Sequence, residues 1–222
     1  MADRNSPLQG NYPIPEDFVE LAKRLQPDAI HVMLGYVWQG YDRLRKGDRF
    51  EVRKDDSHLE DEITAALHVR IQDVIHETDP YSPFAIMHQW LEGGQQKRKG
   101  RPPQSDLAFR LLDGNVRSHF TIEAKVVRSD GAVSRYVREI GDNFLTGRYS
   151  TFSSEAAMLG YLLSGTAERA FHAIGEALQC ELAVCASFPD RDHRYSCHPR
   201  DLGTTSGIAS EFRCHHLLMS FG

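Results

Sequence analysis

The sequence of 222 residues predicts an α/β protein in which a mixed central β-sheet is flanked by helices. Three observations carry that expectation. Residues 104–112 and 121–127 are apolar with partial alternation and read as paired strands. Several longer stretches before and after them read as helices, and residues 181–188 and 215–221 read as closing strands. Helix, hairpin, helices, strand and strand pack as a layered sandwich.

Residues 1–15 are polar and contain Pro7, Pro13 and Pro15, which reads as a flexible arm ahead of a single domain spanning 16–222. Segments 16–25 and 27–44 read as helices that pad one side of the core, and a charged connector, 45–56, follows. Ser57-His58-Leu59-Glu60-Asp61-Glu62 then opens a helix that continues to about His76. The serine suits a cap, the acids suit the first turn, and Leu59, Ile63, Ala66, Leu67, Ile71 and Val74 recur at helical spacing. Asp79-Pro80-Tyr81-Ser82-Pro83 ends it. Phe84 to Trp90 suits a strand or a short helix equally.

Asp113-Gly114-Asn115 tolerates positive φ, so strands 104–112 and 121–127 predict an antiparallel hairpin. A loop at Asp113-Gly114 sets Asp106 across from Thr121, and one at Gly114-Asn115 sets it across from Glu123. Segments 134–144 and 155–163 read as helices joined by 145–150, where Gly147 allows close backbone approach and Arg148 offers a phosphate a two-pronged contact. Residues 166–179 read as a further helix.

A formal charge of -5 and a pI near 6.1 exclude a surface that coats nucleic acid indiscriminately. Local basic clusters remain. Lys97, Arg98, Lys99 and Arg101 directly precede the Asp106 strand and, with Arg148, are the candidate nucleic-acid contacts, although such a run also suits a solvated loop. A mean hydropathy of -0.46 and the lack of an apolar run of about 20 residues argue against a membrane span. Four cysteines, Cys180, Cys185, Cys197 and Cys214, are too few for a disulfide framework, so a reducing cytoplasm is the expected compartment.

The chemistry concentrates in four residues. Alternation along a strand puts Glu123 and Lys125 on one face with Ala124 turned away. Cross-strand neighbours lie about 4.5 to 5.5 Å apart, so Asp106 and Glu123 can reach one divalent ion. At about 100° per residue, Glu60 falls inside the apolar arc of its helix and Glu62 at its margin, which makes Glu60 the third acid and Glu62 the fallback. A carboxylate facing the core requires a partner or a metal.

Glu60, Asp106, Glu123 and Lys125, in that order, make the chain resemble the PD-(D/E)XK nuclease superfamily, whose fold is the restriction-endonuclease-like core. The pattern is an acid on the first core helix, an Asp at the start of a strand, and Glu-x-Lys on the next strand. The resemblance covers roughly positions 50 to 150, and Ser105 stands where the pattern has proline. It implies a Mg²⁺-dependent nuclease, with Mn²⁺ able to substitute, in which Asp106, Glu123 and Glu60 hold the metal or its water. Lys125 would orient the attacking water and stabilise developing negative charge. It further implies DNA ahead of RNA as substrate, and a part in restriction, repair or antiviral defence against mobile DNA. Assembly as a homodimer or higher oligomer, or as the effector subunit of a defence complex, is implied as well. A catalytically silent nuclease-like module that binds DNA or protein is the alternative.

His193, Cys197, His198, Cys214, His215 and His216 crowd the C-terminal region, but no Cys-x-x-Cys or His-x-x-x-His spacing is present, so no zinc site is expected. Neither a Gly-x-Ser-x-Gly elbow nor a Walker-type phosphate loop occurs.

Overall fold

A computed structural model of the chain describes residues 15–47, 50, 56–92, 103–200 and 210–222. The expected N-terminal arm, apart from Pro15, and the basic run Lys97, Arg98, Lys99 and Arg101 lie outside the described residues. Helix α1 (Phe18–Leu25) begins at Asp17, whose side chain accepts from the Val19 amide at 3.0 Å. Helices α2 (Ala29–Gly47) and α3 (Asp56–Thr78) follow. Ser57 lies within α3 rather than at its cap.

Strands β1 (Phe84–Leu91), β2 (Gln104–Leu111) and β3 (His119–Val127) form an antiparallel meander. Helix α4 (Ser134–Glu139) runs into a π-helical turn, Ile140–Phe144. Strand β4 (Glu155–Leu162), helix α5 (Ala167–Leu178), and strands β5 (Ala183–Val184), β6 (His193–Pro199) and β7 (Glu211–Ser220) complete the described elements. The mixed seven-stranded sheet has the order β1-β2-β3-β4-β7-β6-β5, with β4 parallel to both β3 and β7.

Helices cover both faces. Ile122, Ala124 and Val126 of β3 join Leu159, Tyr161, Leu217 and the apolar sides of α1 to α3 in one core. Val127, Met158, Leu162 and Leu218 pack on the other face against Tyr136, Ile140, Phe144, Phe171 and Ile174. Burying both faces of β3 and β4 leaves them almost without exposed positions.

That burial explains the main departure from the sequence reading, in which 155–163 is a helix. Glu-Ala-Ala-Met-Leu-Gly-Tyr-Leu has no period because it is covered on both sides, and its helix-forming Ala and Leu residues are overridden by pairing with two parallel neighbours. Gly160 has a specific reason: a Cβ there would meet Leu218 Cδ2 at 2.4 Å. The strand read at 181–188 shrinks to Ala183–Val184, and β6, a mostly polar segment with two histidines and one arginine, carried no apolar signal. The hairpin turn also differs, since the connection runs from Leu112 to Ser118 and closes no two-residue loop. Its register pairs Leu107 with Ile122, as a loop centred on Gly114-Asn115 requires.

Candidate functional site

This register sets Asp106 across from Glu123, and the β2–β3 ladder ends there although β3 continues. Parting strands leave backbone N–H groups of β3 without a sheet partner, and carboxylates take them. Asp106 Oδ2 accepts from the Ala124 amide at 2.8 Å, and Glu60 Oε2 accepts from the Val126 amide at 2.9 Å. Glu60 thus reaches from α3, on the opposite face from α4, to the edge that β2 has vacated.

Lys125 is the hub. Its ammonium lies 2.7 Å from Glu123 Oε1, 3.2 Å from Glu60 Oε1 and 3.9 Å from Asp106 Oδ2, and also donates to the Ala124 carbonyl at 2.7 Å. All four residues expected from the sequence therefore converge. Glu60 is buried and Glu62 exposed, as the helical phase predicts. Glu60→Ala should slow any cleavage by roughly 10- to 100-fold, the usual cost of losing a group that orients a metal site. Glu62→Ala should leave it unchanged. Single-turnover rates alongside circular dichroism check this, and the reverse ranking would show that Glu60 only supports the fold.

The site is electrostatically loaded. Burial raises the Glu123 pKa well above the ordinary carboxyl value, and the adjacent Asp106 charge raises it further. Asp106 is raised by burial, against the pull of Lys125, and Glu60 likewise. Burial opposes the charge on Lys125, but Glu123, Asp106 and Glu60 outweigh it and hold its pKa above that of an ordinary lysine. Glu123 Oε2 is buried and has no hydrogen-bond partner among the described residues. A carboxylate oxygen in that position is stabilised by a proton or a cation. Carboxylate oxygens are the donor type that Mg²⁺ prefers, and in this structure the Lys125 ammonium stands between them.

Four contributors were not foreseen from the sequence. Glu139, at the end of α4, brings Oε1 to 4.0 Å from the Lys125 ammonium. Asn143, in the π-helical turn, donates from Nδ2 to Glu139 Oε2. Tyr149 donates to the Gln104 carbonyl at 3.0 Å, and its pKa is raised by burial and then by Glu123, Glu139 and Asp106. Arg200 is buried and donates to the carbonyls of Phe144, Ser150 and Ser153, with Phe212 beneath its guanidinium at 4.3 Å. It thereby ties the loop that carries Arg148 and Tyr149 to the sheet. Gly147 takes φ 68° in that loop, where glycine is favoured, and Arg148 is half-buried.

The C-terminal cysteines and histidines form a separate cluster. One ligand atom each from Cys185, His193 and His215 lie within 4.8 Å of one another. Hydrogen bonding accounts for both histidines. The Trp38 indole can only donate, and it donates to His193 Nδ1 at 3.3 Å. The His193 proton is then on Nε2 and goes to His215 Nδ1 at 3.1 Å, and His215 Nε2 donates to Glu155 Oε2 at 3.0 Å. A metal on His193 Nε2 would put the ring proton on Nδ1, donor against donor with Trp38. A second chain links Tyr136, His216, Ser196 and His198.

Comparison with protein families, curated proteins and solved structures finds no match to this chain.

Proposed function

We propose that the chain is a metal-dependent nuclease with a restriction-endonuclease-like core, hydrolysing phosphodiester bonds of DNA in restriction, repair or defence against mobile DNA. One observation carries the reading: Glu60, Asp106 and Glu123, from three different elements, meet at the Lys125 ammonium, and Glu123 Oε2 has no geometric hydrogen-bond partner among the described residues. Asp106 and Glu123 would hold Mg²⁺, with Glu60 beside it. Such an ion supplies Lewis acidity to the phosphoryl group and makes water a nucleophile near neutral pH.

The residues of the chain do the rest. Without a cation, the surrounding carboxylates hold Lys125 protonated. It is a donor, able to orient a water and to stabilise charge that develops on a phosphoryl oxygen. Glu60 fixes that ammonium through its own hydrogen bond to Val126. Tyr149 donates to the carbonyl of Gln104 at the start of β2, and its neighbour Arg148 is the candidate contact for the phosphate backbone. No helix among the described residues is long and apolar enough to cross a membrane.

Supercoiled plasmid incubated with the protein and Mg²⁺ or Mn²⁺ should be nicked or linearised, and EDTA should prevent it. Lys125→Met should lower the rate by roughly 10²- to 10³-fold, the scale of removing one transition-state donor. DNA binding without cleavage under every cation would identify a silent nuclease-like module instead.

A further inference from the structure

We infer that His68 of α3 and His88 of β1 form a binding site for a divalent transition ion of the Zn²⁺ and Ni²⁺ class, a clasp between helix and edge strand that is separate from the carboxylate cluster and independent of the nuclease reading. The two imidazole centroids are 5.4 Å apart and the ring planes are inclined by 24°. An ion bound tetrahedrally to two imidazole nitrogens at about 2.0 to 2.1 Å, with each centroid about 1.1 Å behind its nitrogen, holds the centroids about 5 Å apart. The rings stand at that separation.

His68 is prepared as a ligand. Its ring is hydrogen-bonded to the Ile86 backbone carbonyl, and its Nε2 is buried with no hydrogen-bond partner among the described residues. A bond to a carbonyl requires an N–H, which must then be on Nδ1, so Nε2 carries the lone pair. One ring nitrogen donating to a backbone carbonyl while the other is left bare is the arrangement that orients metal-ligating histidines. His193 and His215 differ, since hydrogen bonds account for their ring nitrogens.

His88 completes the pair from the strand. Ile86 and His88 lie two apart on β1 and so share one face, on which Ile86 joins the core with Leu67 and Ile71 of α3. Burial holds both imidazoles below their ordinary pKa, so both are neutral and able to ligate at neutral pH. Asp61, on the same face of α3 two turns ahead of His68, acts on His88 with its negative charge and favours a cation there. Nitrogen donors select transition ions over Mg²⁺, which takes oxygen. The edge strand gains most from such a clasp. β1 pairs with β2 alone, and its ladder skips Gln89, which takes φ 52° directly after His88. An ion on both rings would fasten β1 to α3 at that point.

Ni²⁺ titrated calorimetrically into the full chain, in excess Mg²⁺ to compete for carboxylate oxygens, tests the assignment apart from any cleavage. Wild type should bind Ni²⁺ more tightly than His68→Gln and than His88→Gln, each by about 10-fold or more, the loss typical of a metal-site partner. Its melting temperature should rise with Ni²⁺ while those of the variants stay level. Circular dichroism checks the fold of each variant, and if one fails to fold the other decides. Wild-type affinity in a folded variant, or no binding by wild type, overturns the clasp and leaves the nuclease reading untouched.

Discussion

Glu123→Gln should abolish cation-dependent cleavage, by roughly 10³-fold or more, and should make the cation-free protein more stable at neutral and alkaline pH. Both effects have one origin. Glu123 is buried beside Asp106 with one oxygen that has no hydrogen-bond partner among the described residues, which is favourable when a cation binds and costly when none does. The sign follows from its raised pKa. Between the ordinary carboxyl value and the raised one, the fold holds a proton that the unfolded chain has released, so stability falls as pH rises through that window. Glutamine removes this slope. Urea denaturation in EDTA at pH 5 and pH 8 checks it: wild type should lose ground to Glu123→Gln at the higher pH, and Mg²⁺ should restore it. If wild type gained relative to the variant at pH 8, Glu123 would be stably ionised without a cation, and the basis for the metal assignment would fail.

Lowering the pH from 7 to 5 should cost the fold about 4 kcal/mol through His193 and His216 alone, at about 1.4 kcal/mol per pKa unit for each. Burial depresses His193 to about 2 and His216 to about 3, and neighbouring histidines add to both effects. The hydrogen-bonded chains explain why neutrality is built in. His193 accepts from Trp38, while His216 is held between Tyr136 and Ser196, and neither has a carboxylate partner among the described residues. Below the ordinary imidazole value the unfolded chain takes up protons that the fold refuses. Stability is therefore full above about pH 6.5 and is lost as pH falls toward the depressed values. Site carboxyls act in the opposite direction over part of this range, so the measurement belongs in the Glu123→Gln protein, where the largest of them is gone. A loss under about 1 kcal/mol between pH 7 and pH 5 would mean that these rings protonate inside the fold.

The proximity of Asp106 and Glu123 was legible because strand side chains alternate and the Asp113-Gly114-Asn115 turn allowed two registers, of which the structure takes the one centred on Gly114-Asn115, although the real turn is longer. Lys125 followed from the same alternation, and Glu60 followed from its phase on an amphipathic helix. Those are local periodicities of about 2 and 3.6 residues, and no tertiary information is needed to count them. Local periodicity fails where both sides are covered. β4 reads as a helix for that reason, and only its two parallel neighbours make it a strand.

The chain's own residue order thus determined which side chains could form the acid and lysine cluster and on which faces they lie. Tertiary structure alone decided that α4 crosses that face so that Glu139 and Asn143 join it, and that Arg200 pins the loop bearing Tyr149. It also decided that His193 and His215 are wired by hydrogen bonds. Each of these depends on how segments distant in sequence pack across a common sheet, a property that spacing along one segment does not encode.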